Sequence, residues 1–132
     1  AIDRKDEKPM DMHGYEQYKA QSVNTMTRGE LLLLLYDELV KRLTRAELAI
    51  GKQDYTLFEA SITRCIEILE YLDDTLDPQY PISHDLHRLY DFFTYELTRV
   101  KIGRNTRILA EVKPRLTDLR DTFRAAQKEG GV

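Results

Sequence analysis

One cysteine, no tryptophan and four prolines in 132 residues leave few ways to build this chain. A lone thiol, Cys65, cannot close an intramolecular bridge, so nothing calls for an oxidising compartment. The longest apolar run, Leu31 to Tyr36, falls far short of the roughly 20 residues a membrane span requires. The first residues, Ala1 to Pro9, mix charges and hold no apolar stretch of the kind that opens a signal peptide. The expectation is therefore a cytoplasmic protein without membrane insertion. Twenty basic residues against 23 acidic ones give a net charge of −3. A nucleic-acid binder would show a basic stripe. The nearest candidate, Arg99, Lys101, Arg104 and Arg107, reads as a helix C-terminus where cations suit the macrodipole.

What is present is helical periodicity. Four segments carry apolar residues alternately three and four apart, the spacing of a helix that buries one stripe. They are Leu32, Tyr36, Leu39, Leu43, Ala46 and Ile50; Phe58, Ile62, Cys65, Leu69, Leu72 and Leu76; Leu86, Tyr90, Phe93, Leu97 and Val100; and Leu109, Val112, Leu116, Leu119, Phe123 and Ala126. No stretch alternates as a strand would. The class is all-α, an antiparallel up-down four-helix bundle with an additional short N-terminal helix or cap.

Local signals place the boundaries. Thr27 and Glu30 form a capping box, Gly51 is suited to end the first helix in the left-handed conformation, and Asp54 to cap the second. Asp77 to Pro81 stops that helix, and Ser83 is placed to cap the third. The expected helices cover about 27–50, 54–76, 83–101 and 105–128, with a kink at Pro114. Residues 1–11 read as a disordered tail, 12–22 as a cap segment, 12–128 as one bundle domain and 129–132 as a second tail. A cap segment of about ten residues is marginal as an isolated helix and must dock or stay mobile.

Three helices carry more apolar surface than a bundle needs. At 100° per residue, Leu34 points about 160° from the core direction of the first helix, with Leu33 and Val40 on one flank. On the second, Leu57, Ile68 and Tyr71 share a flank. On the third, Phe92 lies well off the stripe and Tyr95 nearly opposite it. Together they describe grooves in which an amphipathic helix could lie.

Catalysis finds no constellation. His84 and His87 stand at i and i+3, with Asp85 between them and Asp91 one turn on, a spacing that could set two ligands on one face. No cysteine or third ligand is in register with them, so no metal is expected, and a bundle enzyme or metal carrier using this pair stays as a rival reading. Asp73-Asp74 and Glu67 with Glu70 read as solvated faces, and Cys65 as a core residue. No glycine-rich phosphate loop or nucleophile elbow occurs, and no cofactor is expected.

Tyr15-x-x-Tyr18, Val23-x-Thr25, Glu30-Leu31-Leu32, Leu35-Tyr36-Asp37, Leu86-x-x-Leu89-Tyr90-Asp91-Phe92 and Leu119-Arg120-Asp121-Thr122-Phe123 stand in this order along the chain. The pattern resembles the flagellar secretion chaperone family, FliS. That resemblance implies a cytoplasmic, non-enzymatic chaperone that binds the C-terminal segment of flagellin, blocks its early polymerisation and supports its delivery to the export apparatus. It implies a component of the export gate as a second partner; the expected state of the chain itself is a monomer or weak homodimer. The resemblance also makes Tyr15 and Tyr18 a displaceable lid, and Val23, Tyr36, Leu89 and Tyr90, which stand in its motifs, are counted with them as partner-binding residues. The alternative, from the residues alone, is a generic helical adaptor or dimerisation module for another amphipathic helix.

Overall fold

The computed structural model describes residues 26–129, which form four α-helices and, among the described residues, no strand. They are α1 (Arg28–Gly51), α2 (Tyr55–Asp74), α3 (Ile82–Gly103) and α4 (Thr106–Lys128). The expected N-terminal cap segment lies outside the described residues. The compact unit that holds the core begins at Leu32.

Each helix starts or stops for a chemical reason. Thr27 and Glu30 form the expected capping box: Glu30 N–H donates to Thr27 Oγ1 at 3.1 Å, and Thr27 N–H to Glu30 Oε1 at 2.9 Å. The turns after α1 and α3 use one shared device. A residue in the left-handed conformation, Gln53 (φ 60°) or Arg104 (φ 48°), reverses the chain. The next N–H then closes back five residues, Asp54 to Ala49 O and Asn105 to Val100 O. The same two residues cap the succeeding helices, Asp54 Oδ1 accepting from Leu57 N–H and Asn105 Oδ1 from Ile108 N–H. Gly51 therefore does not take the left-handed position; it is the last residue of α1, and the reversal falls two residues later.

Two further boundaries differ from expectation. α2 stops at Asp74, not at Leu76, where Thr75 turns its hydroxyl onto the Leu72 carbonyl. α3 begins at Ile82 after Pro81, whose fixed φ suits a helix start. Ser83 sits inside its first turn and donates to the Asp77 carbonyl, tying α3 to the preceding turn without capping it. α4 runs through Pro114 as one helix.

Cross-helix pairs fix the topology. Asp37 meets Arg124 (2.8 Å) and Arg120 (3.7 Å), and Glu47 meets Lys113 (2.7 Å), so α1 and α4 run antiparallel. Asp73 with His87, and Tyr55 under the Arg104 guanidinium, do the same for α2 and α3. Among the described helices, backbones approach within 8 Å chiefly between α2 and α3 and between α3 and α4.

The core is the set of stripes read from the spacing. Leu39, Leu43, Phe58, Ile62, Cys65, Leu69, Leu72, Phe93, Leu97, Val100, Leu109, Val112 and Leu116 are buried, and Leu32, Ile50, Leu76, Leu86, Leu119 and Phe123 pack against them. Across the bundle the Tyr36 and Tyr90 hydroxyls bond each other, and the Phe123 ring lies 5.3 Å from that of Tyr36. Burial pushes both phenols above their ordinary pKa, so the pair stays neutral.

Two sets of variants test this packing. Gln53→Gly should raise stability by about 0.5–1 kcal/mol in urea unfolding, because glycine relieves the left-handed strain. Arg104 is a poorer test, since its guanidinium lies 3.7 Å from the Tyr55 ring centroid. Tyr36→Phe alone should cost about 1–3 kcal/mol by stranding the Tyr90 hydroxyl. Adding Tyr90→Phe should recover part of that loss, and a strictly additive double variant would contradict the coupling.

Candidate functional site

Since the four stripes fill the core, any binding surface must come from the side chains they leave over. Leu34 (40% exposed), Leu57 (40%), Tyr71 (47%) and Phe92 (39%) remain open to solvent. Leu33 and Leu89 are half-buried. Val40 and Ile68, expected on open flanks, are buried, as are Tyr36 and Tyr90 of the two Leu-Tyr-Asp triplets. Tyr36, Ile68 and Tyr90 belong to the core cluster, and Val40 is covered outside it. Tyr15, Tyr18 and Val23 lie outside the described residues.

Helical geometry places the exposed set on separate seams. On α2, Asp73 and Tyr55 mark the flank toward α3, since their partners His87 and Arg104 belong to that side. Leu57, Ile68 and Tyr71 fall on the opposite flank, toward α1. On α1, Asp37 and Glu47 mark the flank toward α4, and Leu33 and Val40 share it. Leu34 faces outward. On α3, Phe92 turns toward α4, where the Arg115 guanidinium lies 5.2 Å from its ring centroid. Leu34, Leu57, Tyr71 and Phe92 therefore lie on three different faces of the described helices. Two shallow clefts accompany them, one of about 370 Å³ beside Glu47, Lys113 and Pro114, the other of about 280 Å³ beside Asp73, Ser83 and His87.

Leu48, Tyr80, Ile82 and Ile102 are also exposed, and the off-stripe set expected from the sequence does not include them. Leu48 lies nearly opposite the core stripe of α1, where periodicity alone marks it as surplus. Tyr80 and Ile82 flank the turn before α3 and have no periodicity to be read from.

One polar cluster emerges only in the fold. His87 Nδ1 lies 2.7 Å from Asp73 Oδ1, joining α2 and α3, and Asp91 is close by. The hydrogen bond to Asp73, then its charge, raise the His87 imidazole above its usual pKa. Asp73 is thus not simply half of a solvated pair. It shares a helix flank with Tyr55 that a short turn directs at the third helix.

Cys65 lies wholly inside the core, its thiol 3.7 Å from the Leu39 carbonyl, and burial pushes its pKa up to about 12. The thiolate is the reactive form, so at pH 8 iodoacetamide should modify Cys65 only as fast as the protein unfolds. Mass spectrometry showing rapid alkylation of the folded chain would contradict this burial.

No helix among the described residues is long and apolar enough to cross a membrane. The family model described as Flagellar protein FliS matches residues 11–130. The flagellar secretion chaperone FliS of Bacillus subtilis (strain 168) is 33% identical over 112 residues, which cover 85% of this chain and 84% of that protein. With an all-α bundle and the ordered Leu-Tyr-Asp triplets already in place, these matches establish that the chain belongs to the FliS family of flagellar proteins.

Proposed function

We propose that this protein is a cytoplasmic export chaperone that binds the C-terminal segment of flagellin, keeps it from polymerising early and supports its delivery to the flagellar export apparatus. The observation that carries this is apolar side chains left exposed on three helices outside a filled core, Leu34, Leu57, Tyr71 and Phe92. Residues on separate faces suit an extended partner that wraps the bundle as short helices better than one compact ligand. The Bacillus subtilis relative is named a flagellar secretion chaperone, which agrees with this role.

Assembly-competent helices associate through apolar faces. A chaperone that occupies those faces blocks association by exclusion. Ordering a disordered segment offsets about 2–5 kcal/mol of the gross gain, which keeps binding releasable. Tyr15 and Tyr18 are assigned the part of a displaceable lid on the family resemblance. A component of the export gate is the second partner proposed on the same basis.

Calorimetric titration with a peptide of the host flagellin C-terminus tests the assignment. Leu34→Asp and Tyr71→Asp should each weaken binding about tenfold or more, the scale of losing one apolar anchor, while thermal stability stays nearly unchanged. Unaltered affinity would remove these residues from the surface, and no binding by the parent chain would remove flagellin as the partner. Deleting residues 1–20 should leave affinity equal or higher; a large loss would end the lid assignment. Light scattering that shows a tight dimer through the same residues would favour a dimerisation module instead.

A further inference from the structure

The two Leu-Tyr-Asp triplets invite comparison, because they occupy like places in α1 and α3. Tyr36 and Tyr90 meet each other in the core. The residues after them, Asp37 and Asp91, each reach a neighbouring helix. Asp37 finds two guanidinium groups on α4, those of Arg124 and Arg120. Asp91 finds no such partner on α2. Across from it stands another carboxylate, Asp73, and beside it the His87 imidazole, with one ligand-capable atom of each of the three residues within 4.8 Å of the other two. Where one triplet is neutralised by arginine, the other gathers two carboxylates and an imidazole around a position that lacks a fixed cation.

We propose that Asp73, His87 and Asp91 bind a divalent transition-metal cation of the zinc class, joining α2 to α3 next to the turn between them. The donor set, one imidazole nitrogen and two carboxylate oxygens, is one that zinc accepts, and it leaves a fourth position for water or another ligand. His84 stands one turn before His87 and lines the same cleft of about 280 Å³, with Asp73, Leu76, Pro78 and Ser83. That cleft borders Asp73 and His87 but not Asp91, and His84 is not among the three converging donors. Metal–ligand bonds of roughly 2.0–2.2 Å put neighbouring donors about 3.4 Å apart. The present spread of up to 4.8 Å closes by side-chain rotation, for which the exposed Asp91 and His87 have room. It is the one such group of three among the described residues. The metal would take over the link that the His87–Asp73 hydrogen bond now makes.

The test uses the full chain, stripped with chelator and titrated with zinc chloride at pH 7.5, followed by calorimetry and thermal unfolding. One equivalent should bind saturably, and Tm should rise with zinc concentration. His87→Gln and Asp91→Asn, each checked for an unchanged helical spectrum, should weaken binding on the order of tenfold or more. His13→Gln should leave binding as it is. No saturable heat and no Tm shift in the parent chain would overturn the proposal. Binding that survives unchanged in both His87→Gln and Asp91→Asn would overturn it too, because the zinc would then be an adventitious ion held elsewhere. The Asp91 variant keeps the His87–Asp73 bond, so a loss there reports on the metal and not on that bond.

Discussion

Closure of the core by one apolar stripe from each of four helices is the constraint on which the rest of this structure depends. Leu39, Leu43, Phe58, Ile62, Leu69, Leu72, Phe93, Leu97, Leu109 and Leu116 fill the interior, with Cys65 among them as a free thiol. Because that interior is complete, apolar side chains beyond the stripes are covered only where a neighbouring helix reaches them, as at Val40 and Ile68. Leu34, Leu57, Tyr71 and Phe92 keep large exposed areas for that reason. A folded chain that retains such residues on several seams does so at a cost in solubility. Under the proposed function, the partner that covers them is the reason they are there.

The polar framework obeys the same constraint. Charged residues flank the core at the helix seams, Asp37 with Arg124 and Glu47 with Lys113, where they set helix order more than they add stability. The Tyr36–Tyr90 pair is different, since it is buried and places two hydroxyls where each needs the other. The two triplets that carry this pair differ in the company of their aspartates, arginines for Asp37 and a second carboxylate with an imidazole for Asp91. That difference makes the α2–α3 edge chemically unlike the α1–α4 edge.

Helix number, order and core were legible in the sequence, because periodicity, capping boxes and short connections are local signals. The buried members of the expected groove were not. Val40 and Ile68 lie on flanks, yet neighbouring helices cover flanks as well as stripes, and a wheel drawn for one helix cannot show its neighbours. Tyr36 and Tyr90 joined the groove by resemblance although their spacing already placed them in the stripes, and the spacing prevailed. Gly51 drew the left-handed position by its residue type. Backbone hydrogen bonding instead put the reversal at Gln53, because Asp54 both closes α1 and caps α2. The Asp73–His87–Asp91 cluster escaped because its members belong to two helices, and only the fold brings them together.

The most direct test of the central claim is an amide NMR titration of the isotope-labelled full chain with a flagellin C-terminal peptide. Shifts concentrated around Leu34, Leu57, Tyr71 and Phe92, with the Tyr36–Tyr90 core unmoved, are the result expected for a wrapped partner on a preformed bundle. Saturable binding with those four positions silent, or with the core signals lost, would contradict the account.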